Sequence, residues 1–235
     1  MQGIQGIFST TTGTGEAARK VYWTARERDD GSITVQPLSR NFAPSGQPRN
    51  VSREDFLERF EPEPEFFLDT VSDRRQGKEV VDGRPLADMD LPGAEQVNED
   101  NIKANFNLGL WLLENGRKAK ARRVFERILR LEGPFRREDK HLFNGFGIAL
   151  RKYGQPDMAL SFYDKAHLLA RDDENLHHNM ARSHFEKGDT KKAREELEKS
   201  LRLNPGLKES KRFLRYLSGQ GRPKPRVYRQ TPFEE

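Results

Sequence analysis

Three of the chain's five histidines fall within residues 175–189, NLHHNMARSHFEKGD. His177 and His184 are seven apart with His178 between them, so a helix would carry the outer pair on one side, as a metal site or a general base would require. Zinc needs three or four ligands, and no carboxylate joins that pair at i+3 or i+4. The chain has no cysteine, which removes disulfides, thiolate-bound zinc, iron–sulfur clusters and thiol nucleophiles. A second stretch, TTTGTGEAARK (10–20), glances at a phosphate loop, but Gly13 is followed five residues later by Ala18 where such a loop needs glycine. No Ser-His-Asp order with elbow glycines and no pair of inward carboxylates on a defined scaffold is present. The sequence therefore reads as no enzyme, with no catalytic residue, no metal and no cofactor.

Whether the histidines form a site depends on the elements that carry them. Only 34% of the 235 residues are hydrophobic and 34% are charged, a balance that suits a solvated helical array better than one large core. Residues 107–133, 145–171 and 179–205 align with one another on three landmarks. Small residues Gly109, Gly147 and Ala181 let two helices approach. Turn glycines Gly116, Gly154 and Gly188 end the first helix, and Ala121, Ala159 and Ala193 sit where the second crosses it. Each landmark moves by 38 and then 34 residues, the spacing of a helix-turn-helix solenoid. In that register His177 stands where Phe143 does one unit earlier and His184 where Leu150 does. Both are expected to be half-buried residues facing a neighbouring helix.

This pattern, with the aromatic Phe125 or Tyr163 and the closing Asn204-Pro205, resembles the tetratricopeptide repeat (TPR) family over residues 102–207. The expected fold is mainly α: an α-α superhelix of three repeats (about 102–135, 140–173 and 174–207) and a capping helix at 208–217, with Phe213, Leu214 and Leu217 covering the last repeat. The extra residues at 133–140 predict a longer loop between repeats.

Ahead of the repeats, residues 20–71 read as a small module. KVYWTARERDDGSITVQPL alternates apolar and polar positions around Asp30-Gly31, which predicts a β-hairpin with Val21, Trp23 and Ala25 on one strand and Ile33 and Val35 on the other. Ser52 and Asp55 cap a short helix with Phe56, Leu57 and Phe60 on one edge. A ribbon and one helix are marginal alone, so the module must dock on the repeats, on another copy or on a partner. EPEPE (61–65) reads as a stiff spacer and FFLDTV behind it as a short helix or anchor. Residues 1–19 read as a flexible tail, 72–101 as a disordered acidic linker and 218–235 as a basic Pro-rich tail.

Charge is uneven along the chain: 4 basic against 12 acidic residues over 61–101, then 26 against 16 over 102–217. That asymmetry predicts an acidic partner, or an intramolecular contact in which 72–100 lies on the repeats. The start lacks a secretory pattern and no window reaches membrane-span length, so a soluble cytoplasmic protein that contacts no membrane is expected.

The family resemblance implies a concave groove lined by the first helix of each unit. By register it would comprise Phe106, Asn107, Leu110 and Glu114, then His141, Asn144, Ile148, Arg151 and Lys152, then Asn175, His178, Asn179, Arg182 and Phe185. The asparagines suit a peptide backbone and the cations acidic ligands. Phe106, Leu110, Asn175 and Asn179 occupy positions where the family's carboxylate-clamp subtype needs Lys, Asn, Lys and Arg, so that clamp is not expected. The leading function is a non-catalytic protein-interaction module, an adaptor or scaffold. The alternative is a basic nucleic-acid-binding repeat protein, for which no recognised RNA-binding motif is present. Homo-oligomerisation through the hairpin edge fits either.

Overall fold

The computed structural model describes residues 4–15, 18–39, 43–64, 66, 80–81, 84–85, 94–133 and 135–219. The chain divides into two compact units, Met1–Pro134 and Phe135–Glu235.

The first unit opens with five antiparallel strands: β1 Gln5–Thr12, β2 Arg19–Glu27, β3 Ile33–Pro37, β4 Arg49–Val51 and β5 Glu61–Pro62, in the order β4-β3-β2-β1-β5. The hairpin of β2 and β3 forms where alternation predicts it, with Gly31 at φ +80° in the turn. There the Asp30 carboxylate accepts the Ser32 hydroxyl (2.6 Å) and backbone N–H (2.9 Å), which hold it below the usual carboxylate range. Trp23, Ala25, Ile33 and Val35 are buried.

Residues 5–12, expected within a flexible tail, are instead β1, paired to β2 in a register that sets Phe8 opposite Trp23 and to β5 at Phe8 and Ser9. A bare hairpin would leave one side of β2 unpaired and its apolar face thin; β1 closes both gaps, and Phe8 is fully buried. Both hairpin strands thereby have a neighbour on each side over part of their length: β2 between β1 and β3, and β3 between β2 and β4. The edges that remain, β4 and β5, are three and two residues long, a length that blunts edge-to-edge pairing.

Helix α1, Arg53–Arg59, starts where Ser52 accepts the Asp55 N–H (3.1 Å) while donating its own hydroxyl to the Asp55 carboxylate (2.9 Å). Its rings fill the sheet's apolar face: Phe56 meets Phe8 at 4.9 Å and Phe60 meets Trp23 at 5.7 Å. Such pairs contribute about 0.5–1.5 kcal/mol beyond their buried area.

Helices α2, Ala94–Glu114, and α3, Lys118–Arg130, form the first helical pair. A Cβ at Gly109 would lie 2.3 Å from the Phe125 ring, so this crossing admits only glycine. Gly116 ends α2 at φ +71°, and Ala121 is fully buried at the crossing.

Helix α2 begins at Ala94, ahead of the repeat start expected at about 102, which corrects the linker assignment of 94–101. The added turns bring Asn101 to the sheet, where it is 2% exposed. Its Oδ1 accepts the Ile7 N–H (2.9 Å), and its Nδ2 donates to the carbonyl of Glu63 (2.9 Å). The expected spacer is likewise structural over its described residues 61–64: Glu63 is 2% exposed and accepts the Ser9 hydroxyl (2.7 Å), with Lys20 and Arg127 as ion-pair partners. Phe66 is buried against Tyr22, ring centroids 5.2 Å apart. The module thus docks on the first repeat through apolar packing and a buried polar clasp. Two-residue strands β6, Val80–Val81, and β7, Arg84–Pro85, pair with each other. The rest of the predicted linker and the tail from residue 220 onward lie outside the described residues.

The second unit consists of α4 Lys140–Lys152, α5 Pro156–Leu169, α6 Glu174–Glu186, α7 Thr190–Leu203 and α8 Lys208–Leu217, led by a 3₁₀ turn at Arg137–Asp139 in the expected longer loop. The same devices recur. A Cβ at Gly147 would lie 2.3 Å from the Tyr163 ring, Gly154 and Gly188 end their helices at φ +68° and +84°, and Ala159, Ala181 and Ala193 are fully buried. Among the described residues, no helix is long and apolar enough to cross a membrane.

Candidate protein-binding surface

In the second unit, polar bonds fix α4 and α6 side by side. Asp173 caps α6 by accepting the N–H groups of Asn175 (2.9 Å) and Leu176 (3.0 Å) while pairing with Lys140 at the start of α4 (2.8 Å). Burial pushes the Asp173 carboxyl up, and the hydrogen bond from Lys140 with the two amides outweighs it, leaving the group below the usual range. One helical turn on, Asn179 Nδ2 donates to Asn144 Oδ1 across the helices at 3.0 Å. At the far end the buried Arg151 guanidinium pairs with Glu186. Burial pushes the nearby Tyr163 phenol up to about 12, against the pull of that guanidinium.

Around this ladder His141, Lys152, Asn175 and Arg182 are exposed, and Asn144, Ile148, Asn179 and Phe185 are half-buried. No carboxylate among the described residues pairs with Lys152 or Arg182. The face therefore combines amide groups, one aliphatic side chain and two uncompensated cations.

Other expected lining residues have different work. Phe106 is 2% exposed and packs on Phe125 (5.2 Å) inside the first helical pair, because an aromatic one turn before the close approach at Gly109 is drawn into the core. Asn107 and Leu110 are half-buried and Glu114 exposed on α2, in the first unit. Arg151 is committed to Glu186. His178 is covered by α8: its Nδ1 lies 2.9 Å from Ser210 Oγ, and its ring meets Phe213 at 6.2 Å. Phe185 meets Phe213 at 5.4 Å and Tyr216 at 5.8 Å. The capping helix thus covers one end of the surface and adds Tyr216, 46% exposed, which carry-over from the first helices alone had no means of including.

The histidines that posed the metal question belong to the core between helices. His177 is 6% exposed with its Nδ1 2.7 Å from a Glu196 carboxylate oxygen, and its ring meets that of His167 at 5.1 Å. Burial lowers the affinity of His167 and His184 for a proton. Among the described residues, no group of three or more His, Asp or Glu is arranged to hold a metal ion.

Paired antiparallel helices with a small residue, a left-handed glycine and a crossing alanine in one register define a helical-repeat protein. Sequence profiles described as "Tetratricopeptide repeat" match residues 174–207 and 103–131. These two segments of the chain are tetratricopeptide repeats.

Solved structures similar to the chain include the first TPR of Spaghetti (RPAP3) bound to an HSP90 peptide, at 16% identity over 52% of this chain and 93% of that one, TM-score 0.37. Another is the Yersinia enterocolitica type III secretion chaperone SycD in complex with a peptide of the translocator YopD, at 21% identity over 52% and 89%, TM-score 0.33. A third is MamA, at 16% identity over 53% and 72%, TM-score 0.38. No curated protein matches the chain in sequence.

Proposed function

We propose that this chain is a non-catalytic adaptor whose α4–α6 face binds an extended acidic segment of a partner protein in the cytoplasm. The observation that carries the reading is the Asn144–Asn179 ladder flanked by Lys152 and Arg182. Each asparagine spends one polar atom on the other and keeps further donor and acceptor capacity for a peptide backbone. The two cations supply the charge that an acidic side chain would meet, favouring encounter and register more than raw affinity. Ile148 and the ring of Phe185 offer apolar contact between them. The lining residues expected from register reduce in this reading to Asn144, Ile148, Lys152, Asn175, Asn179, Arg182 and Phe185, with His141 at the edge.

The test is selection from a random peptide display library, run in parallel with the intact chain and with an Asn144→Ala/Asn179→Ala/Arg182→Ala variant. Acidic peptides enriched by the intact chain and lost from the variant support the reading. The same peptides recovered with both would move binding elsewhere on the protein.

A further inference from the structure

Helix α3 carries a charge that its packing does not use. From Arg117 to Arg130 the chain has seven basic residues and one acid, Glu126. Three cations are engaged: Arg122 pairs with Glu126 (2.8 Å), Lys120 donates to the Leu57 carbonyl (3.0 Å), and Arg127 contacts the Pro62 carbonyl and the Glu63 carboxylate. Among the described residues, no carboxylate pairs with Arg117, Lys118, Arg123 or Arg130, and the last three are exposed.

The placement is ordered. Lys120, Arg123, Arg127 and Arg130 recur at i, i+3, i+7 and i+10, which at about 100° per residue keeps them within roughly 80° of one another along about 15 Å of helix. Lys20 of β2 joins the stripe from the sheet, since it and Arg127 share Glu63. That carboxylate is 2% exposed and lies beneath the two cations it pairs with. Helix stability does not account for the charge: the first turn carries lysines where the helix dipole favours carboxylates.

The chemistry of the face selects among polyanions. Its exposed positions on α3 are Lys118, Ala119, Arg122, Arg123 and Arg130, with no large apolar or aromatic side chain among them. Protein partners are held by such anchors in desolvated pockets, whereas nucleic-acid backbones are held by arginine-rich polar faces without them. No exposed ring on α3 offers a base a stacking platform, and the Tyr22 ring beside Lys20 is half-buried and itself meets that lysine at 5.3 Å, which favours backbone contact over base readout. We propose that the α3 stripe, extended by Lys20, binds the phosphate backbone of nucleic acid without sequence preference.

The test is fluorescence anisotropy of the full chain with two labelled probes of about 20 nucleotides, an oligouridylate and a DNA duplex, across about 50–200 mM salt. The expected result is binding to at least one probe, with log K falling against log salt at a slope of about −3 to −5. The tighter probe identifies the strand form, and either one supports the proposal. The exposed double change Arg123→Gln/Arg130→Gln should weaken binding about tenfold or more and make the slope shallower by about 2. Lys152→Gln/Arg182→Gln, which removes the same charge from the second unit, should change affinity less than about twofold. Circular dichroism of both variants checks that the fold is kept. No binding at the lowest salt, equal losses in the two double variants, or a decaglutamate peptide binding more tightly than either oligonucleotide would overturn the proposal.

Discussion

Replacing Asn101 with alanine removes the centre of the clasp between the sheet and the first repeat. The side chain accepts the Ile7 N–H at 2.9 Å and donates to the Glu63 carbonyl at 2.9 Å, and it is 2% exposed, so water cannot take over either bond without opening the joint. Asn105, fully buried, also donates to it at 3.2 Å. Each buried group left unpaired costs about 1–3 kcal/mol, and two or three such losses give about 3–5 kcal/mol after partial relaxation. That is a large share of the roughly 5–15 kcal/mol typical of a domain. Both tryptophans, Trp23 on β2 and Trp111 on α2, lie in the first unit, so tryptophan fluorescence during urea unfolding reports that unit alone. With an m-value of about 2 kcal/mol/M, the midpoint should fall by about 1.5–2.5 M. The comparison is Asn50→Ala, which removes an exposed side-chain bond to Thr34 on the same sheet and should cost under about 0.5 kcal/mol. Equal small shifts for both variants would refute the clasp as the joint's main polar support.

Gly147→Ala drives a methyl group into the Tyr163 ring and should destabilise the second unit by about 1–3 kcal/mol, whereas Gly154→Ala, in open space at φ +68°, should cost about 1 kcal/mol. Thermal circular dichroism that ranks them the other way would contradict the close approach at the helix crossing. Asp173→Ala removes both cap bonds of α6 and the Lys140 pair, with an expected cost of about 1–2 kcal/mol in the same assay. Burial holds His167, His178 and His184 below the ordinary histidine value of 6.5, so the folded state favours their neutral forms. The unfolded chain then binds more protons, and the stability these groups contribute is present above pH 6.5 and lost as pH falls from there through their folded values. The melting temperature of the second unit should therefore be lower at pH 5.5 than at pH 7.5, with about the same value at both pH values as the contrary result.

The repeats were legible because three constraints with distinct chemistry recur together. Gly109 and Gly147 face rings at distances no Cβ tolerates, Gly116, Gly154 and Gly188 need positive φ, and Ala121, Ala159 and Ala193 are fully buried at crossings. Each leaves a residue type that substitution would damage, so the sequence spells the geometry. The first strand was not legible for the opposite reason. Gly6 and the threonines in QGIFSTTT read as a tail, and only Ile7 and Phe8 signal burial; what makes β1 a strand is the open side of β2, a tertiary demand. Asn101 and Glu63 escaped likewise, since each is a common polar residue whose role comes from partners 38 to 94 positions away. At the candidate surface, Asn144 and Asn179, both expected on the first helices of their units, are hydrogen-bonded to each other. Register could not show that Phe106 turns inward, that Arg151 is spent on Glu186, or that α8 covers His178.

The most direct test of the adaptor reading is amide chemical-shift mapping of the full chain, titrated with an acidic peptide from the display selection. The reading predicts saturable shifts at Asn144, Ile148, Asn175, Asn179 and Arg182 of α4 and α6, absent in the Asn144→Ala/Asn179→Ala/Arg182→Ala variant. Shifts confined to the sheet or to α3, with α4 and α6 unmoved, would contradict it.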